Sequence, residues 1–153
     1  MKRISLLQCD TAELDQGAFG FKRKRLGAAV GAQKVGASWF EIPPGKKAFP
    51  FHYHLANEEA VYVLEGQGVL RNGEDEEQLL NPGDYVWFPP GAPAHQILNR
   101  GEVPLRYLAI SSLFEPEVAV YPDSKKIGFI ARSFGMASVH KEDTAVDYYE
   151  DEK

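Results

Sequence analysis

Between residues 35 and 111 the chain alternates short apolar segments with turns that contain glycine, proline or asparagine. The pattern predicts eight strands in this region, and no segment has a convincing helical period. The predicted strands cover residues 35–42, 47–55, 59–65, 68–71, 77–80, 85–88, 94–98 and 105–111. Strands this short and this closely spaced are typical of a small antiparallel barrel or jelly roll. We therefore expect an all-β fold with a cavity at one end of the barrel.

The residues on either side are predicted to be additions to this barrel. Residues 1–34 form an N-terminal arm that supplies one or two edge strands and packs on the barrel, which itself comprises residues 35–115. Residues 116–153 form a C-terminal extension with further strands over 117–121 and 127–131 and a charged, mobile acidic tail. The organisation is thus one barrel domain with an addition at each end.

Length and charge limit the classes of partner. A chain of 153 residues is large enough to fold as one domain. Its formal net charge is -5, so we expect no binding to nucleic acid. The one basic cluster, residues 22–25, is interpreted as a solvated arm, with an anion or partner site as the alternative. We expect no membrane association, because no segment has transmembrane length and the first residues lack the apolar stretch of a signal peptide. Cys9 is the only cysteine, which is compatible with a cytoplasmic location.

Three of the four histidines lie in two short motifs. His52 and His54 alternate along a predicted strand, which places both side chains on one face about 6 to 7 Å apart. Glu59 opens the next strand, and a hairpin would return its carboxylate to the histidine pair. His95 follows a rigid corner of proline and glycine at residues 89–93. Three imidazoles and one carboxylate suit a divalent transition metal. The fourth histidine, His140, lies in a polar segment and is expected to be solvent-exposed.

Both motifs resemble those of the cupin superfamily. The first contains, in order, Gly45, His52, His54, Glu59 and Gly66. The second contains Gly83, Pro89, Gly91, His95 and Asn99. Each motif has one more residue in a turn than the family pattern, which turns tolerate. The resemblance covers about residues 35–112 and implies a cupin double-stranded β-helix, a small single-domain metal-binding member of the family, with metal ligands His52, His54, Glu59 and His95.

The resemblance leaves the reaction open. Iron, manganese, nickel, cobalt and zinc all accept this ligand set, and a six-coordinate ion would keep about two positions for a substrate. The first functional hypothesis is a dioxygenase or sugar-phosphate isomerase acting on a small organic molecule. The alternative is a metal-dependent binding or sensor module without turnover. The catalytic residue stays unassigned, and Tyr107, Phe49 and Phe40 are predicted to contact the substrate. We expect a homodimer, since the N-terminal arm offers edge strands that a second copy would cover.

Overall fold

The computed structural model describes residues 1–152, and most of their regular structure is β-strand, as predicted. The strands are β1 (Ala12–Gln16), β2 (Phe19–Lys24), β3 (Val35–Ile42), β4 (Tyr53–His54), β5 (Glu59–Glu65), β6 (Gly68–Asn72), β7 (Glu76–Leu80), β8 (Tyr85–Phe88), β9 (His95–Leu98), β10 (Leu105–Ser112), β11 (Glu117–Tyr121), β12 (Lys126–Ala131) and β13 (Met136–Lys141). One α-helical turn, α1 (Leu26–Ala29), and short 3-10 turns complete the elements, the latter at Leu6–Gln8, Pro122–Ser124, Arg132–Phe134 and Glu142–Thr144. Within residues 1–152, no helix has the length and hydrophobicity that crossing a membrane requires.

Three antiparallel sheets form the double-stranded β-helix. The largest has the strand order β1-β2-β3-β10-β5-β8, and a second has the order β7-β6-β9. The third sheet, β13-β12-β11-β4, joins the C-terminal strands to the barrel through β4. The N-terminal strands extend the largest sheet, because β2 pairs with β3 in a register that sets Arg23 opposite Phe40. The N- and C-terminal additions therefore both pair directly with barrel strands.

The hydrophobic core lies between the largest sheet and the β7-β6-β9 sheet. Alternate residues of each central strand point inward, as the two-residue period of a strand requires. The buried core residues are Phe40, Ile42, Ala48, Val61, Val63, Leu70, Leu80, Phe88, Leu105 and Tyr107. Burial of one large apolar side chain contributes about 1.5 to 3 kcal/mol. Polar side chains that are also buried include His52, His95, Asn99 and Glu117.

The corner at Gly91 connects the two predicted motifs. Its φ is 87°, in the left-handed region that favours glycine. In this conformation the Gly91 N–H donates to the carbonyl oxygen of His54 at 2.7 Å. The corner of the second motif is thereby hydrogen-bonded to the histidine strand of the first.

Two details of the strand prediction are corrected by the structure. The predicted strand over residues 47–55 is regular only at Tyr53–His54, while Lys47 and His52 form isolated bridges. Pro50 explains the interruption, because proline has no N–H to donate to a ladder. The chain also forms β13, which the sequence did not predict and whose residues are all exposed.

The predicted strands at 117–121 and 127–131 are confirmed. Mobility of the acidic tail stays a prediction, and Lys153 lies outside the described residues.

Candidate metal centre

Backbone hydrogen bonds between the two motifs assemble the site. The N–H of His52 donates to the carbonyl oxygen of His95 at 3.1 Å, and the N–H of His95 donates to that of His52 at 2.8 Å. This reciprocal pair fixes the two residues side by side, with ring centroids 4.8 Å apart. His54 follows on β4, and Glu59 is the first residue of β5. The structure therefore brings together all four residues singled out in the sequence.

The four side chains converge on one carboxylate oxygen. Oε2 of Glu59 lies 3.7 Å from Nε2 of His52, 3.5 Å from Nε2 of His54 and 3.3 Å from Nε2 of His95. For metal–ligand bonds of about 2.1 Å, neighbouring ligand atoms at right angles are separated by about 3 Å. The ligand atoms of His52, His54 and Glu59 all lie within 4.8 Å of one another, so these three residues form a group that could hold a metal ion. His95 approaches the same Glu59 oxygen but lies outside this group. The donor set, three imidazole nitrogens and one carboxylate, suits a transition metal.

A backbone carbonyl fixes the orientation of one imidazole. Nδ1 of His52 lies 2.8 Å from the carbonyl oxygen of Pro50. A carbonyl only accepts, so Nδ1 carries the proton, and Nε2 keeps a free lone pair facing Glu59. The ring of His95 is fixed differently, by stacking on Phe88 with centroids 3.7 Å apart and planes 10° apart.

A second carboxylate, Glu117 of β11, lies behind His54. Its Oε2 is 3.7 Å from Nδ1 of His54, a buried atom with no hydrogen-bond partner among the described residues. Glu117 is only 2% exposed. It accepts backbone N–H bonds from Leu55, Ala56, Asn57 and Val118, and a side-chain bond from Asn57. The carboxylate thus holds the corner between β4 and β5 in place and faces the outer nitrogen of His54.

Burial and mutual repulsion determine the charge state of the cluster. Desolvation, followed by repulsion from His95, lowers the pKa of His52 to about 4. Desolvation raises the pKa of Glu59, but contact with His95 and the charges of His54 and His52 outweigh it, so the net shift is downward. At neutral pH these shifts favour a neutral His52 and an ionised Glu59, the forms that ligate a metal.

Two cavities meet at the histidine cluster. The inner cavity, of about 50 Å³, is mainly apolar and includes Phe49, Phe88 and Tyr107. The outer cavity, of about 290 Å³, is more polar and extends to residues of both additions to the barrel. Both are lined by His52 and Glu59. The candidate metal centre is therefore accessible from a cavity large enough for a small polar molecule.

The three aromatic residues predicted to contact a substrate lie at different depths. Phe49 is 39% exposed and lines both cavities. Tyr107 is buried in the inner cavity, where desolvation raises the pKa of its hydroxyl. Phe40 lines neither cavity, because it packs in the core and stacks on Tyr107 with ring centroids 5.3 Å apart. His140 is exposed, as predicted.

Two residues near the centre were missed by the sequence analysis, and both belong to β11. Glu117 faces His54, and Tyr121 stacks on His52 with ring centroids 6.0 Å apart. The alternation of the predicted strand 117–121 puts both residues on one face, together with Ala119. No signal in the sequence links this face to the barrel histidines, because the sequence does not specify that β11 pairs with β4.

Known proteins resemble this chain in sequence and in fold. The family model for the cupin domain matches residues 38–111. The putative sugar phosphate isomerase from Acidithiobacillus ferrooxidans is 34% identical; the match covers 85% of this chain and 81% of that one, with a TM-score of 0.77. A sugar phosphate isomerase of the cupin superfamily from Silicibacter pomeroyi is 26% identical; the match covers 97% of this chain and 98% of that one, with a TM-score of 0.83.

One curated relative matches about half of the chain. An uncharacterised protein from Methanocaldococcus jannaschii is 39% identical over 70 residues, which are 46% of this chain and 54% of that protein. The chain spans about half the length of the curated relatives it matches. The two motifs, the fold and these matches agree, and the chain belongs to the cupin superfamily.

Proposed function

We propose that this protein binds one divalent transition metal ion through His52, His54, Glu59 and His95 and isomerises a small sugar phosphate at that site. The observation that carries the proposal is the approach of three imidazole Nε2 atoms to within 3.3 to 3.7 Å of one Glu59 oxygen beside a cavity. The reaction class is supported by the names of two similar structures, each a sugar phosphate isomerase or putative one.

The chain's residues prepare the site for an aldose–ketose interconversion. A bound divalent ion would polarise a carbonyl oxygen and stabilise the negative charge that develops on it. The Pro50 carbonyl orients His52 so that its Nε2 would be available to the ion, and Glu117 faces the outer nitrogen of His54. The apolar inner cavity limits water around the reacting oxygens, which strengthens electrostatic interactions there.

Elemental analysis of protein purified without an affinity tag tests the metal site. We expect about one equivalent of a transition metal in the wild type and in His140→Ala, whose exposed histidine is the matched control. We expect loss of the metal in His54→Ala and in the double variant His52→Ala with His54→Ala, with the barrel still folded by circular dichroism. Stoichiometric metal in the double variant would show that the ligand assignment is wrong.

A substrate panel tests the reaction. Aldose and ketose phosphates of four to seven carbons are incubated with metal-replete protein, and both sugar forms are followed by chromatography. Interconversion that is lost in His54→Ala supports the proposal. Oxygen consumption with catechols or thiols, and no isomerisation, would instead indicate a dioxygenase. Tight ligand binding without any product would indicate a binding or sensor module.

We also propose a cytoplasmic homodimer. Both edge strands of the largest sheet are exposed: β1 of the N-terminal arm, on which the prediction rests, and β8, with Tyr85 at 62% and Trp87 at 54%. An exposed edge with large apolar side chains is a surface that a second copy can cover. Size-exclusion chromatography with light scattering should give twice the chain mass at micromolar concentration, and a monomer would refute this part of the proposal.

A further inference from the structure

The outer cavity carries two cationic side chains beside the candidate metal centre. Arg23 reaches it from β2 of the N-terminal arm, and Arg132 reaches it from the 3-10 turn that follows β12. The same cavity is lined by His52, His54 and Glu59. A molecule in this cavity can therefore face the histidine cluster and the two arginines at once.

Arg23 is held in place, but most of its donors are left unused. Its Nε donates to Oγ of Ser38 at 3.1 Å, and its guanidinium lies 5.2 Å from the centre of the Phe40 ring. The two terminal nitrogens form no hydrogen bond with residues 1–152. A guanidinium has five N–H donors in a planar fork, so Arg23 keeps four for a ligand. The contacts with Ser38 and Phe40 orient the guanidinium before a ligand binds.

The arginines at the cavity differ from those on the outside of the barrel. Three outer arginines form ion pairs, namely Arg71 with Asp123 at 2.7 Å, Arg100 with Glu77 at 2.5 Å and Arg106 with Glu41 at 2.7 Å. Within the described part of the chain, neither Arg23 nor Arg132 has a carboxylate oxygen within 4.0 Å. Carboxylates are abundant in this chain, whose net charge is -5, yet none forms an ion pair with either arginine. Glu115 attracts Arg132, and Glu59 attracts Arg23, only at longer range.

The nearby acidic residues are already engaged. Glu115, which also lines the cavity, accepts hydrogen bonds from the backbone N–H of Ser133 at 2.8 Å and from its hydroxyl at 2.6 Å. Glu117 accepts the bonds of the β4–β5 corner, and Glu59 faces the histidines. Burial lowers the pKa of the Arg23 guanidinium, and the positive charges of Arg25 and Arg132 lower it further, against the opposite effect of Tyr107 and Glu59. Like charges accumulated beside a cavity attract an anion.

We propose that Arg23 and Arg132 bind the anionic group of the substrate, a phosphate or a carboxylate, while the opposite end of the substrate faces the histidine cluster. Guanidinium groups bind phosphate and carboxylate through paired N–H donors, and partial burial strengthens such bonds. The inference rests on the proposed function in placing the reaction at the histidines, and it adds the residues that select an anionic substrate and set its orientation. It also changes the interpretation of residues 22–25, because Arg23 belongs to the site and not to a solvated arm.

The test measures anion binding separately from metal binding. Full-length, metal-free protein is titrated by calorimetry with inorganic phosphate, glucose 6-phosphate, gluconate and glucose. We expect glucose 6-phosphate to bind at least tenfold more tightly than glucose. Comparison of inorganic phosphate with gluconate identifies which anionic group the site prefers. If no anionic probe binds more tightly than glucose, the inference is overturned.

Variants assign the binding to the two arginines. Arg23→Gln and Arg132→Gln should each weaken glucose 6-phosphate binding about tenfold or more, while Arg100→Gln, the matched control at a paired outer arginine, should not. Arg23→Lys, which keeps the charge without the fork, should bind less tightly than wild type and more tightly than Arg23→Gln. Equal affinity in wild type and in the double glutamine variant would overturn the inference. Arg132 is exposed, so its variant remains a valid test even if Arg23→Gln does not fold.

Metal content separates this inference from the proposed function. Both glutamine variants should retain the wild-type metal stoichiometry, since neither arginine forms an ion pair or a hydrogen bond with the four candidate ligands. Anion binding that depends on the arginines, in a protein that isomerises no sugar phosphate, would refute only the proposed reaction. Isomerisation with a KM for the sugar phosphate unchanged in the double variant would refute only the role of the arginines.

Discussion

The substitution Glu117→Gln isolates the contribution of the buried carboxylate behind His54. Oε1 accepts N–H bonds from Leu55 at 3.1 Å, Ala56 at 3.2 Å and Val118 at 2.7 Å. Oε2 accepts the backbone N–H of Asn57 at 2.7 Å and also its side-chain amide. Glutamine has nearly the same shape, but one oxygen becomes an NH2 group that cannot accept any of these bonds. Leu55 keeps a second acceptor in the carbonyl oxygen of Val118. Whichever oxygen is replaced, two other donors lose their acceptor: the part-buried N–H groups of Ala56 and Val118, or the two buried donors of Asn57.

The expected cost follows from that number of donors. Each buried donor left unpaired costs about 1 to 3 kcal/mol, so two cost about 2 to 6 kcal/mol. Neutralising the side chain removes the cost of burying a charge and offsets part of this loss. We expect the free energy of unfolding to fall by about 3 kcal/mol, which for a domain of this size lowers the melting midpoint by about 6 to 12 °C.

Urea denaturation of metal-free protein in EDTA at pH 7 measures the change, with exposed Glu102→Gln as the matched control. If the unfolding free energy of Glu117→Gln lies within 1 kcal/mol of the wild-type value, Glu117 does not stabilise the β4–β5 corner as we infer. The same variant, kept well below its melting midpoint, should bind the transition metal about 10- to 100-fold more weakly, because a carboxylate behind a ligating histidine raises its basicity and fixes its ring. Unchanged metal affinity would show that Glu117 supports only the chain corner.

Three further predictions concern the barrel. In metal-free protein His52 stays neutral in the folded state down to its lowered pKa of about 4. In the unfolded chain the same imidazole takes up a proton near pH 6.5. The free energy of unfolding is therefore independent of the titration of His52 above about pH 6.5 and falls by about 3 kcal/mol as the pH decreases to 4. Urea titrations at pH 7 and 4.5 should show the decline, and His52→Gln should remove most of it. Asn99→Ala should lower the unfolding free energy by about 2 to 4 kcal/mol in the same assay, because buried Asn99 donates to the carbonyl oxygens of Ile42 and Val103 and accepts from the N–H of Gly101. Gly66→Ala should lower the melting midpoint more than Gly83→Ala does. Both glycines have positive φ, so the backbone strain is common to the two variants. Only at Gly66 would the added methyl group collide with the Pro104 carbonyl, because Gly83 faces open space. Equal midpoints would contradict the steric argument.

The barrel could be predicted because its determinants are local. Alternation of apolar residues and the glycine and proline turns are readable within a few residues, and they located most strands of the barrel to within one or two residues of their ends. The spacing of the two motifs also identified the four residues that converge. The interruption of the strand over residues 47–55 was harder to predict, since His52 finds its backbone partner in the distant His95.

The support of the centre depends on pairing between distant segments. Glu117 meets His54 only because β11 pairs with β4 next to it, with Ala119 opposite His54. Arg132 reaches the cavity because β12 follows as a hairpin on β11. No periodicity within residues 116–153 specifies which barrel strand this hairpin joins. The sequence therefore predicted these strands correctly and gave no indication of their contribution to the site.

The four candidate ligands and the carboxylate that supports one of them come from different parts of the chain, which the pairing of β11 with β4 brings together. The four converging residues come from the barrel, whereas Glu117 lies after the segment that the family match covers. Two relatives could thus share the same four residues and still differ in metal affinity and in preferred substrate. The difference would come from the strands that follow the barrel. Exchanging the C-terminal strands between relatives is therefore a way to change the properties of the site without changing the barrel interior.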